Sequence, residues 1–203
     1  MLKLMSILAA MLLLAAGVVL PMALGSMWPD YNWTANYLSE LGATGAPHGF
    51  WMTYGGFLPV SIFWTLSIVL FYLRSPKSSA LLAGVCLLLG TSVSYFGAVL
   101  FRCDLGCPIE GSESQVMHNL LGVIGYLATP PALILIGLHF NKTGQKLLGS
   151  LTFLTAALCI AGFVGMATPE NADFRGLSQR MADFSLFGWV AAVAFLLKQK
   201  AAA

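Results

Sequence analysis

The residue types most capable of chemistry crowd into residues 102–119, RCDLGCPIEGSESQVMHN, where an arginine, two cysteines, three acids and a histidine sit between long apolar segments. His118 is the candidate general base: an imidazole changes charge near neutral pH, and an ionisable group at membrane depth tends to face a bundle interior. Ser39, His118 and Asp104 or Glu40 supply the residue types of a nucleophile, a base and an orienting acid, without the elbow pattern that usually presents a nucleophile.

Arg180 and Asp183 stand one helical turn apart, so they share a face and can pair with each other. Alternatively Arg180 binds an anion, such as a lipid phosphate or carboxylate, while Asp183 orients it. Arg102 and Arg175 add further anion donors, although interfacial snorkelling uses the same residue type. Asn119 adjoins His118 and joins the ligand-binding polar groups. His48 enters from the same side. With His118 and Asp30, Glu40 or Asp104 it would offer zinc a nitrogen and oxygen donor set. No HxxxH or HExxH spacing is present, so no metal ligand is assigned and zinc stays open as a cofactor.

Cys103 and Cys107 are expected to form a disulfide, because their loop faces an oxidising compartment and Gly106 and Pro108 allow a tight turn. Their spacing is not the Cys-x-x-Cys of redox enzymes. Cys86 and Cys159 read as small apolar fillers.

These residues must be held by a membrane scaffold. The chain has 203 residues, 58% of them hydrophobic and 9% charged, with a mean hydropathy of +0.82; a soluble domain carries about 25% charged residues. A net charge of +2 without basic runs gives no footing for nucleic acid. Spans of about 20 apolar residues cross a bilayer, and six segments qualify: residues 4–24, 50–73, 80–101, 115–140, 147–167 and 178–197. Continuous rather than alternating apolar runs exclude strands. The first run is longer than the core of a secretory signal and reads as a retained anchor.

Basic residues in short loops favour the cytoplasm. Cytoplasmic termini put Lys3, Arg74, Lys77, Lys142, Lys146, Lys198 and Lys200 on that side and leave only Arg102, Arg175 and Arg180 opposite. All eight acids then lie outside or just below the outer boundary. Within the longest outer connection, 26–48, Trp33, Tyr37, Leu38 and Leu41 recur at helical spacing, which predicts an interfacial helix over 34–41 ended by Gly42. Pro59 and the Pro130-Pro131 pair predict kinks or loosened turns. Gly84, Gly90, Gly97, Gly162 and Gly165 would permit close helix approach.

Three motifs, YNWTANYLSELGAT, FRCDLGCP followed by SESQVMHNLLG, and GLSQR, resemble the bacterial and archaeal membrane-protein family known as domain of unknown function 998. The likeness spans almost the whole chain, with Ser39, Leu41, Gly42, Asp104, His118 and Arg180 at matching positions. It implies about six helices and brings no activity with it. Glu40 stands where the family commonly has aspartate, and the paired cysteines are not a family hallmark. Likeness to membrane hydrolases that bind zinc through three histidines fails, since only His48 and His118 lie on the outer side.

The prediction is an all-α polytopic membrane protein, a single domain over 1–203 with six transmembrane helices in three hairpins, cytoplasmic termini and an outer interfacial segment at about 26–48. Its setting is a plasma (inner) membrane. An extracytoplasmic pocket of Ser39, Glu40, Asp104, His118, Arg180 and Asp183 would bind an amphiphile or membrane lipid, its head against the arginines and histidine and its tail between helices. As an enzyme this would be a lipid-directed hydrolase or transferase, with His118 as base and Arg180 stabilising developing charge. The alternatives are a non-catalytic lipid or small-solute binding or transport protein, and an accessory subunit whose outer loops meet a membrane-protein partner. The absence of charge in the inner helix halves argues against ion transport.

Overall fold

Each long apolar stretch folds as a helix, because a helix satisfies its own backbone donors and acceptors where lipid supplies none. The structure, a computed structural model, describes residues 1–197. Its long helices are α1 (Leu2–Ser26), α2 (Gly49–Arg74), α3 (Ser79–Leu100), α4 (Glu113–Lys142), α5 (Lys146–Ala167) and α6 (Arg175–Leu196). Strands are absent among the described residues. Five of these helices, α1 to α5, are long and apolar enough to cross a membrane. The sixth matches α3 and α5 in length at 22 residues but carries Arg180 and Asp183. Lys198 and Lys200, assigned above to the cytoplasmic side, lie outside the described residues.

Each helix packs on the next, and α6 closes the ring by packing on α1 and α2. The shared core is built from Trp64, Ile68, Leu133, Ile136, Phe140 and Phe187, among others. Its two indoles are satisfied internally: Trp64 Nε1 donates to the Leu88 carbonyl at 2.8 Å and Trp189 Nε1 to Thr152 Oγ1 at 2.8 Å. Arg74 is also buried, its guanidinium donating to the carbonyls of Ala194 and Leu197 at the end of α6, each at 3.1 Å. It therefore caps the last turn of α6 instead of standing in a loop. His139 is buried too, with Nδ1 2.9 Å from the Ser78 hydroxyl that caps α3.

The prolines divide. Wide π turns at Ala15–Val19 and Met52–Phe57 immediately precede Pro21 and Pro59, and such a turn relieves the clash of a proline ring with the preceding carbonyls. Pro59 thus loosens α2 as expected, and Pro21 does the same in α1. Pro130 and Pro131 instead lie inside an unbroken α4. The interfacial helix expected over 34–41 is replaced by turns around Trp33–Ala35 and a short 3-10 helix, Leu38–Gly42. Gly42 is required there by proximity, since a Cβ would lie 2.3 Å from the Phe57 ring.

Candidate functional site

The segment between α1 and α2 runs irregularly across one end of the bundle, and its carbonyls need donors close to a low-dielectric medium. Three arginines supply them. Arg180 Nη1 donates to the carbonyls of Trp33 (2.9 Å), Asn36 (3.0 Å) and Gly176 (2.9 Å), and Nη2 donates to the Tyr31 hydroxyl. Arg175 Nε donates to the Ala35 carbonyl at 3.0 Å, its guanidinium lying over the Tyr37 ring. Arg102 holds the carbonyls of Gly42 and Ala43 at 2.8 and 2.7 Å. A forked guanidinium suits this work because it addresses several acceptors at once. Tyr31 in turn donates to the Tyr37 carbonyl at 2.7 Å. Burial pushes its hydroxyl up to about 12 even with Arg180 beside it.

A second lid comes from the loop between α3 and α4. A disulfide joins Cys103 and Cys107 as the sequence predicts, and Gly106 and Cys107 both take left-handed backbone in that ring. Ser112 caps α4, its Oγ accepting from Gln115 N at 3.2 Å. The Gln115 side chain, wholly buried, reaches back into the loop: Oε1 accepts from Asp104 N and Nε2 donates to the Pro108 carbonyl, both at 2.7 Å. Asp104 receives the Ser112 N–H and hydroxyl, each at 2.8 Å, and these bonds hold its carboxyl below the usual range. The loop meets the α1–α2 segment through Thr44 N, which donates to the Cys103 carbonyl at 2.8 Å.

Beneath the two lids lies a cavity of about 340 Å³, lined by α3, α4, α5 and α6 with Phe57 of α2. Its α4 wall runs from His118 to Thr129, a rise of ~16 Å at 1.5 Å per residue. Most of the lining is apolar or aromatic, with a few convergent polar groups. Asp183 is the one carboxylate that lines it, and neither lysine nor arginine does. Tyr126 donates to Asp183 Oδ1 at 3.0 Å and in turn accepts from Gln179 Nε2 at 3.3 Å. Tyr95 also hydrogen-bonds Asp183. The Oε1 of Gln179 accepts from Leu38 N at 2.6 Å, which ties the buried network to the lid. Nearer the lids, His118 Nδ1 lies 2.9 Å from the Phe101 carbonyl. A carbonyl can only accept, so Nδ1 carries the proton and Nε2 of the neutral ring is left as an acceptor.

The model of the family described as protein of unknown function (DUF998) matches residues 7–196. The chain belongs to that family. Its long apolar helices make this family member an integral, multi-pass membrane protein. No curated protein and no solved structure matches it.

Of the sequence-predicted site residues in this family member, Ser39, His118, Asn119 and Asp183 line the cavity together, with Cys107 at its edge. Glu40, Asp104, Arg102, Arg175, Arg180 and His48 do not line it. The single pocket expected to hold Glu40, Asp104 and Arg180 with the others is corrected accordingly. Glu40 is buried and accepts both its bonds from Asn36 Nδ2, at 3.1 and 2.9 Å. Asp104 closes its own loop. Arg180 does not pair with Asp183, because its guanidinium turns to backbone carbonyls while the carboxylate, one turn on, turns to tyrosines. Among the described residues no three His, Cys, Asp or Glu side chains are placed to share a metal ion.

Sequence reasoning missed Tyr95, Tyr126 and Gln179. Gln179 stood inside the GLSQR motif, and the phenols lay mid-helix where aromatic residues ordinarily pack a core. The available signal was a polar tip at a depth where polar groups need partners.

Proposed function

We propose that this family member spans a plasma membrane with six helices as one domain, both termini in the cytoplasm and three hairpins turned outward. In this orientation the two lids and the cavity face the extracytoplasmic side, and the cavity binds an amphiphilic small molecule or the head region of a lipid. The basic residues Lys3, Lys77, Lys142 and Lys146 at the opposite end support the orientation. The sixth span is supported by the packing of α6 within the ring, where Arg180 and Asp183 are both removed from lipid.

One observation carries the binding reading: a cavity of about 340 Å³ whose wall is largely apolar while His118, Asn119, Gln179 and Asp183 converge on it. That combination is the usual form of a small-molecule site. A photoreactive long-chain alcohol incorporated with the purified protein in nanodiscs tests it. Crosslinks are expected on lining residues such as Asn119, Tyr126, Gln179 and Leu186; label confined to lipid-facing residues such as Val116, Leu120 and Leu127 rejects the site.

A catalytic reading rests on His118, whose fixed tautomer leaves Nε2 as a base. In that form the protein is a lipid-directed hydrolase or transferase, with Ser39 among the hydroxyls that line the same cavity. Arg180 has no part in it, since it does not line the cavity and its Nη1 and Nη2 donate to Trp33, Asn36, Gly176 and Tyr31. His118→Ala would then abolish turnover of a lipid ester while leaving crosslinking by the alcohol intact; turnover equal to that of the unaltered protein removes the assignment.

A further inference from the structure

We propose that the cavity selects an alkylammonium head group, with Asp183 as its counter-charge. This rests on reading the cavity as an amphiphile site. Asp183 is 4% exposed, and a carboxylate removed from water is costly unless paired or well hydrogen-bonded. The partners it has are neutral phenols, Tyr126 and Tyr95. No Lys or Arg lines the cavity, and the nearest cation in sequence, Arg180, is turned onto Trp33, Asn36, Gly176 and Tyr31. The site therefore offers a carboxyl group that no lining Lys or Arg pairs.

The walls favour the same class of ligand. Tyr37, Phe57, Tyr95, Tyr126 and Phe163 all line the cavity, and Tyr126 stacks on Phe163 with ring centroids 5.7 Å apart. Aromatic faces attract an ammonium through their quadrupoles, and more strongly where water is excluded. A phosphate, sulfate or carboxylate head would instead meet a carboxylate, with His118 as the one nearby group able to become a cation. An alkyl tail is accommodated by Ile109, Val123, Met166 and Leu186. The ammonium could come from a free amine or from an ethanolamine lipid head.

The test uses the full chain in nanodiscs of phosphatidylglycerol, labelled with a diazirine-bearing dodecylammonium probe and read by peptide mass spectrometry. Unlabelled dodecylammonium, dodecanol and dodecyl sulfate compete. Dodecylammonium is expected to displace the probe at ~10-fold lower concentration than either of the others, about 1.4 kcal/mol. In Asp183→Asn this preference should collapse while labelling by the dodecanol analogue persists, and Asp183→Glu should keep it. Adding phosphatidylethanolamine separates the sources: weakened probe labelling points to the lipid head and unchanged labelling to a free amine, and either is consistent with ammonium selection. Equal displacement by ammonium and alcohol, or a preference retained in Asp183→Asn, overturns the proposal while the site itself stands. If no probe of any head group labels the cavity and Gly122→Phe, placed where an added Cβ meets nothing within 4 Å, changes no labelling, the underlying site reading fails instead. Should Asp183→Asn not assemble, equal displacement by ammonium and sulfate in the unaltered protein is sufficient to overturn it.

Discussion

Gly176, in the first turn of α6, lies so close to Asn36 that a Cβ placed on it would stand 2.1 Å from the Asn36 carbonyl oxygen. The neighbouring Leu177 N–H donates to the Thr34 carbonyl at 3.0 Å. Backbone thus meets backbone, and no side-chain rotation can relieve an added methyl. Gly176→Ala should push the 31–37 turn away from α6, a cost of at least ~1 kcal/mol by the usual penalty for overpacking. Thermal unfolding in detergent should show the lowered midpoint, and hydrogen exchange should rise at Asn36 and Leu38. An unchanged midpoint would mean the two backbones are not in contact.

Arg180 gives a sharper separation of roles. If its guanidinium holds three carbonyls and a phenol, a lysine cannot replace it, because one ammonium on a flexible stem does not reproduce the fork. Arg180→Lys should be destabilised by roughly 1–3 kcal/mol, the range for leaving a buried acceptor without its partner. If Arg180 instead served as an anion site, the lysine would retain much of the function with little loss of stability. Denaturant unfolding of Arg180→Lys and Arg180→Gln distinguishes these, with both expected to fall together.

These two cases also show what the sequence could and could not tell. Helix positions follow from long uninterrupted apolar runs, and the helix ends agree because Ser78 and Ser112 supply caps that are readable locally. The disulfide was legible for the same reason, since five consecutive residues with Gly106 can close on themselves. Arg180 was not legible: apart from the Tyr31 hydroxyl its acceptors are carbonyls, up to 147 residues away, which leave no mark in residue types. A charge at helix spacing from Asp183 suggested a pair, yet the irregular 27–48 segment needed donors more than Asp183 needed a cation. The helical spacing of Trp33, Tyr37, Leu38 and Leu41 misled in a similar way. Leu38 and Leu41 are buried against Leu24, Met52 and Phe57, and a 3-10 turn meets that demand as well as a helix does. Of the cavity, the sequence named His118, Asn119, Ser39 and Asp183; their convergence with Tyr95 and Tyr126 depends on how α3, α4 and α6 are rotated.

Tyr31 ties the lid to alkaline pH. Its hydroxyl is raised from an ordinary value of 10.0 to about 12, chiefly by burial. Because the folded value lies above the unfolded one, the phenol's contribution is complete below pH ~10 and is lost as pH rises through ~12. Stability should therefore hold steady up to about pH 10 and decline beyond it. Absorbance near the phenolate band should show late titration whose amplitude falls by one tyrosine in Tyr31→Phe. If every tyrosine ionises at its ordinary value in the folded protein, Tyr31 is not buried against Arg180.

The loop over the cavity is held in two ways that can be weighed against each other. The Cys103–Cys107 disulfide closes a ring of five residues, and so short a ring restricts the unfolded chain by only ~2 kcal/mol. Gln115 is fully buried and makes three side-chain bonds, to Asp104 N, the Pro108 carbonyl and Asn119 Oδ1. Gln115→Ala takes this partner from the Asp104 N–H and Asn119 Oδ1, each at ~1–3 kcal/mol where water is excluded, while the Pro108 carbonyl keeps its bond from Asn119 Nδ2. The larger loss is therefore expected from Gln115→Ala, ahead of the Cys103→Ala/Cys107→Ala double variant. Because Pro108 and Ile109 line the cavity, the same variant should also speed exchange of a bound alkyl probe. Should removal of the disulfide prove the more damaging, the covalent ring and not the buried amide fixes the lid.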